Sequence, residues 1–240
     1  MISIKKVLDN YNKDDLTIGV LGGHSALDVC NGAKKYGFKT LAVCQKGREK
    51  TYTKYFKTRA DGRGCVDTTI VLDKFADITK PKVQEELRKQ NTIFIHNRYF
   101  WVYFDFQDIE KNFNIPIFGT RSMLKLEERD VPKNQYYLLE KAGIRFPRIY
   151  KNPKEIDRLV IVKVNEATRG YERAFFFAAS PKDYKLKSDD MLKAGQITSK
   201  SLQDAVIEEY IIGAQVNFNY FYSVLKNELE IMGTDTRRQT

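Results

Sequence analysis

Histidine is nearly absent from this chain: only His24 and His96 occur, and neither belongs to an HExxH, Ser-His-Asp or Cys-His arrangement. Hydrolysis by a protein nucleophile or by zinc is therefore not expected. Cysteine is scarce too. Cys30, Cys44 and Cys65 are an odd number with no CxxC spacing, which argues against a disulfide framework and against a zinc site. Cys30 and Cys44 fall in apolar patterns and read as small core residues. No apolar run approaches the roughly 18 residues that span a membrane. The opening MISIKKVLDNYNKDD is too polar for a secretory signal, so cytoplasmic residence is expected. Blocks of five or six like charges, internal repeats and low-complexity tracts are missing as well. Lys and Arg nevertheless total 41 against 31 Asp and Glu, a formal charge of +10. Without an RNA-binding signature or finger spacing behind it, that excess points to phosphate-bearing small molecules rather than nucleic acid.

What is present is ordinary in amount and ordered in pattern. The 240 residues, 42% hydrophobic and 30% charged, suffice for one large domain or two small ones. Residues 16–22, 39–45, 68–73, 92–96 and 115–119 are short, uninterrupted apolar runs, as in a parallel sheet covered on both faces. Helical patterns lie at 26–37 and at 80–90, the latter with Pro81 in its first turn. Past about residue 120 the character changes. A helix over 134–143 closes at Gly143, and longer aromatic strands follow at 158–164, 172–180, 205–213, 215–223 and 228–233. These predict an antiparallel sheet, and hence an α/β Rossmann-like lobe over 1–120 joined to a mixed α+β lobe over 121–240. The last strand runs into GTDTRRQT with no helix after it. An edge left there would be open, so the expectation is a fragment or a partner that covers it.

Candidate site residues cluster at the junctions. In VLGGHSALD, Ser25 and Asp28 form a capping-box-like pair that sets a helix start at a strand's carboxyl end. Gly22 and Gly23 would let the backbone turn tightly and approach a ligand. His24 then borders the first helical turn, a natural anion site, or it simply bonds a loop carbonyl. Lys163 lies inside the apolar strand VIVKV, where it needs a partner charge, a cavity or an edge to snorkel from. Arg169 and Arg173 flank Gly170 in the basic turn that follows. Glu208 and Glu209 are adjacent in a strand, so they face opposite sides and one of them meets a polar environment. Arg121 is an anion contact or a surface residue, and Asp235 with Arg237 an ion pair or part of a polar site.

The strings GGHSALDVCNGAKKYGF, CQKGRE, PIFGTRSMLKLEER, EKAGIRFPRIYKNPKEIDRLVIVKV and IEEYIIGAQVNFNYFYS occur in this order. In them the chain resembles the archaeal PurP family, ATP-dependent ligases of purine biosynthesis. The resemblance covers essentially the whole chain and corresponds to the N-terminal two-thirds of that family. It implies an ATP-grasp fold: a Rossmann-like domain over 1–120 and a partial ATP-grasp domain over 121–240. It implies that formate is joined to 5-aminoimidazole-4-carboxamide ribonucleotide through formyl phosphate, giving the formamido nucleotide. ATP and magnesium, with manganese as an alternative, are the implied cofactors, and a homo-oligomer is expected. His24 would contact the imidazole nucleotide, as would Tyr99, which stands where some members carry a serine. Lys163 would meet the ATP phosphates, with Arg169 and Arg173 in place of a glycine-rich loop. Glu208, Glu209, Tyr210 and Ile211 would form the adenine and ribose hinge. Gln239 stands where some members carry a nucleotide-binding glutamate. The metal ligands are expected beyond Thr240, and no residue is assigned a catalytic role. A non-catalytic nucleotide-binding paralogue of the same family is the alternative.

Overall fold

The computed structural model describes residues 4–97, 99–119, 121, 132–164, 175–223 and 225–236. The chain divides into two compact units, 1–134 and 135–240. The division falls later than the expected 120. Arg121 falls within the first unit: its guanidinium donates to the carbonyls of Ile109 (2.9 Å), Phe113 (2.5 Å) and Ile115 (2.7 Å). Arg121 is thus a clamp on backbone carbonyls, neither an anion contact nor a free surface residue.

The first unit opens with helix α1 (Ile4–Asp9) and strand β1 (Thr17–Leu21), followed by α2 (Ala26–Lys35) and β2 (Lys39–Gln45). Then come β3 (Thr68–Leu72), α3 (Pro81–Lys89), β4 (Thr92–Phe94), α4 (Tyr99–Tyr103) and α5 (Phe106–Asn112). The strands form one parallel sheet in the order β3-β2-β1-β4. The uninterrupted apolar runs have the predicted cause, because both faces are buried. Leu21, Leu41, Val43 and Phe94 join Phe75, Phe100 and Phe113 in one core cluster. Val20, Ala42 and Cys44 join Ala26, Cys30, Tyr52 and Cys65 in another. All three cysteines are free and buried, and burial pushes the Cys30 and Cys44 thiols up to about 12. The run 115–119 is not a strand. It makes one bridge, Phe94 to Ile117, because Pro116 has no N–H with which to continue the ladder.

The second unit begins with α6 (Gln135–Lys141). It closes as expected on Gly143, whose φ of 65° few side-chain-bearing residues adopt. Strands β5 (Ile149–Tyr150), β6 (Val160–Lys163) and β7 (Phe175–Ala178) precede α7 (Pro181–Lys193), α8 (Ser199–Gln203) and β8 (Val206–Glu209). They pair antiparallel in the order β5-β8-β6-β7. One face of this sheet carries Tyr150, Val160, Val162, Phe176, Ala178 and Ile207, packed against Tyr184 and Met191 of α7 and Leu202 of α8. The last elements, β9 (Asn217–Ser223) and β10 (Glu228–Asp235), form an antiparallel hairpin with a register shift between Ile231 and Gly233. Period-two alternation makes it amphipathic. Phe218, Tyr220, Tyr222, Leu229 and Ile231 share one exposed face. On the other, Asp235 accepts from the Asn217 and Asn219 amides at 3.0 Å each. Arg237, its expected partner, lies outside the described residues.

Candidate functional site

In the first unit the chain leaves β1 through Gly22, Gly23, His24 and Ser25 before entering α2. Both glycines are required by aromatic packing. A Cβ on Gly22 would lie 2.9 Å from the Tyr52 ring, and one on Gly23 only 2.0 Å from the Tyr99 ring. What approaches these glycines closely is therefore the protein's own side chains. Ser25 occupies the N-cap position with φ 63° and ψ 6°, a left-handed conformation uncommon outside glycine and asparagine. Its side chain makes no cap hydrogen bond, so the expected Ser25–Asp28 capping box does not form. The extended backbone that aims an N-cap oxygen at the first turn is lacking. Instead Ser25 Oγ and His24 Nδ1 share a hydrogen bond of 2.8 Å, and both residues are exposed.

Asn97 links this turn to α4. Its amide donates to Leu21 O at 2.8 Å, and its Oδ1 accepts from Tyr99 N at 3.1 Å. Tyr99 is thereby pinned against the residue preceding His24. Its ring meets Tyr103 edge-on at 5.0 Å, and Tyr103 Oη accepts from Arg48 at 3.0 Å. The carboxyl end of the parallel sheet thus gathers His24, Tyr99, Tyr103 and Arg48. Of these only His24 and Tyr99 were expected. Arg48 lies three residues past the end of β2, and its position at a strand's carboxyl end was the signal that could have found it.

In the second unit Lys163 and Glu208 meet. In the register Lys163 opposes Val206 while Glu208 opposes Ile161, so the two are diagonal neighbours on one face. The Lys163 ammonium pairs with Glu208 Oε1, and Tyr136 Oη donates to Glu208 Oε2 at 2.5 Å. Lys163 found its partner charge within the protein. On this face, which Tyr136 of α6 reaches from one side, Phe175, Phe177, Ile161 and Val206 are half-buried or exposed. Glu209 faces the other way, as alternation requires. It accepts from Arg158 at 3.1 Å and from Arg148 N at 3.3 Å. Arg158 also pairs with Asp157, which accepts from Tyr150 Oη at 2.5 Å. The Tyr150 hydroxyl, followed by Arg158, draws the Asp157 carboxyl down to about 2. The strand ends at Glu209 rather than at 213. Beyond it Tyr210 N donates to Leu159 O at 3.0 Å and its ring meets Phe177 at 4.9 Å, while Ile211 is exposed. Arg169, Arg173 and Gln239 lie outside the described residues. Tyr136 gave no sign in the sequence, since an aromatic residue in a helix reads as packing. Among the described residues no group of three or more His, Cys, Asp or Glu could hold a metal ion, and no helix is long and apolar enough to cross a membrane.

The profile of the family described as "Protein of unknown function (DUF1246)" matches residues 18–150, more than half of the chain. The chain belongs to this family. A second profile, "Domain of unknown function (DUF1297)", matches residues 183–240. Beside these DUF1246 and DUF1297 matches stands a curated relative, the 5-formaminoimidazole-4-carboxamide-1-(beta)-D-ribofuranosyl 5'-monophosphate synthetase of Methanothermobacter thermautotrophicus. It is 42% identical over 235 residues, covering 98% of this chain and 61% of the relative. The chain therefore spans about three-fifths of the length of the curated relatives it matches. Among solved structures, the IMP biosynthesis protein PurP of Thermococcus kodakaraensis superposes with a TM-score of 0.64 at 23% identity, over 92% of this chain and 59% of that one. N5-carboxyaminoimidazole synthetase of Staphylococcus aureus, complexed with ADP, gives 0.63 at 18% identity over 96% and 57%. The DUF1246 chain has the ATP-grasp fold, and its resemblance to PurP proteins is borne out.

Proposed function

We propose that this chain belongs to an ATP-dependent carbon–nitrogen ligase that joins formate to 5-aminoimidazole-4-carboxamide ribonucleotide in purine biosynthesis. The observation that carries the proposal is its 42% identity, across nearly its whole length, to a synthetase named for the formamido product. A formate oxygen attacks the γ-phosphorus of ATP, the bond to the bridging oxygen breaks, and ADP leaves. The exocyclic amine of the nucleotide then attacks the carbonyl carbon of formyl phosphate, expels phosphate and gives up a proton. His24 and Tyr99 hold the imidazole nucleotide at the carboxyl end of the parallel sheet, the end at which open α/β sheets bind ligands. Lys163 faces the ATP phosphates from the open side of the antiparallel sheet. Glu208, Glu209, Tyr210 and Ile211 border the adenosine, with Phe177 and Tyr210 offering apolar ring surface to a base. Arg169, Arg173 and Gln239 complete the ATP contacts. The described residues supply no ligand set for magnesium or manganese, so no step is assigned to a metal here. Most of the acceleration comes from positioning and from charge placed against the phosphates, to which magnesium would add when bound. A cytoplasmic homo-oligomer belongs to the same proposal.

The test is to incubate the full-length gene product with ATP, magnesium, 13C-formate and the aminoimidazole nucleotide. A 13C-formamide signal growing in step with ADP is the expected result. ADP release without formamide would assign another acceptor or carboxylate. Nucleotide binding with no turnover would favour the non-catalytic paralogue.

A further inference from the structure

The contact of Tyr136 with Glu208 bears on Lys163. Glu208 is 8% exposed, and its two oxygens are divided between partners: Oε1 takes the Lys163 ammonium, and Oε2 takes the Tyr136 hydroxyl at 2.5 Å. The terminal carboxylate torsion is soft and roughly two-fold. An unpinned Glu208 could turn both oxygens toward the ammonium and engage two of its three N–H donors. With Oε2 occupied, Lys163 gives Glu208 a single contact and keeps donors for an anion arriving on the open face. The Lys163 side chain, 26% exposed, is within reach of such an anion, whereas the Glu208 side chain behind it is only 10% exposed.

We propose that Tyr136 is a positioning residue for the nucleoside triphosphate. By occupying one oxygen of Glu208, it keeps Lys163 from being fully sequestered by that carboxylate, and so preserves the phosphate contact. This rests on the proposed ATP site. The charge pair survives removal of the hydroxyl, and only its geometry changes, so the effect falls on one substrate.

The experiment compares wild type with Tyr136→Phe in the full-length gene product. Affinity for a non-hydrolysable ATP analogue is measured by calorimetry, and KM is measured for each of the three substrates. Analogue affinity should fall about fivefold and KM for ATP should rise in parallel. KM for formate and for the imidazole nucleotide, and kcat, should stay within about twofold. In a Glu208→Ala background the tyrosine change should have no further effect on analogue affinity, since the hydroxyl acts only through that carboxylate. Equal analogue affinity in wild type and Tyr136→Phe would overturn the proposal. So would a uniform rise in all three KM values with a lowered Tm, the mark of a merely structural role. Wild type that binds no ATP analogue at all would instead overturn the ATP site itself.

Discussion

The two sheets bury their faces differently. The parallel sheet of the first unit is apolar on both sides, with Phe94 and Leu41 in one cluster and Val20 and Cys44 in the other. The antiparallel sheet of the second unit packs one face on α7 and α8 and leaves the other with Lys163, Glu208 and partly exposed aromatic rings. A sheet walled in on both faces can offer a ligand only its ends, so chemistry there must come from loops such as 22–25. A sheet with one open face can present a side chain from the middle of a strand. It must then neutralise that charge while no ligand is bound. What each sheet can offer a ligand thus follows from how many faces the core takes.

Breaking the charge on the open face should have the largest effect. Lys163→Ala leaves Glu208 buried with only the Tyr136 hydroxyl, and should cost about 3 kcal/mol in denaturant unfolding. Removing both charges, as Lys163→Met with Glu208→Leu, should recover most of that loss while nucleotide binding stays impaired. Next comes the walled-in sheet. Gly23→Val drives a side chain into the Tyr99 ring and should cost about 2 kcal/mol, and Tyr99→Ala in the same chain should return part of it. His24→Ala sharpens the contrast, because an exposed loop residue should change stability by less than about 0.5 kcal/mol. Affinity for the imidazole nucleotide, read by calorimetry, should nevertheless drop about tenfold, the worth of one or two hydrogen bonds. An unchanged affinity would remove His24 from the site. The smallest effect is an acid dependence. Asp157 is held to about 2 in the folded chain against an ordinary 3.8, so unfolding takes up a proton in that range. Its stabilising contribution is complete above about pH 4 and is lost as pH falls toward 2. Asp157→Asn should flatten the stability curve over that interval.

Much of this architecture was legible in the sequence because burial on two faces writes itself as uninterrupted apolar runs: β2 spans the predicted 39–45. The antiparallel character of the second half was legible in its longer, aromatic strands, and the sheet β5-β8-β6-β7 pairs that way. The failures are local. Residues 115–119 read as a strand because apolarity outweighed the one missing N–H of Pro116. Ser25 read as a helix cap because its type and spacing fit, while its backbone is left-handed. The candidate site was legible where a residue contradicts its surroundings, as Lys163 does in VIVKV. It was not legible where an ordinary residue acts through a neighbour far along the chain. Tyr136 and Asn97 are such residues, and their partners become visible only once the strands are in register.

The contact between Gly23 and Tyr99 has an evolutionary side. Two positions far apart in the chain share one volume, and the ring has already taken it. Any lineage that gives residue 23 a side chain must first trim residue 99, and a lineage that has trimmed residue 99 is freed at 23. The pair should therefore drift together or not at all. Among descendants of this sequence, a large ring at 99 should forecast glycine at 23 more reliably than the neighbouring residues do.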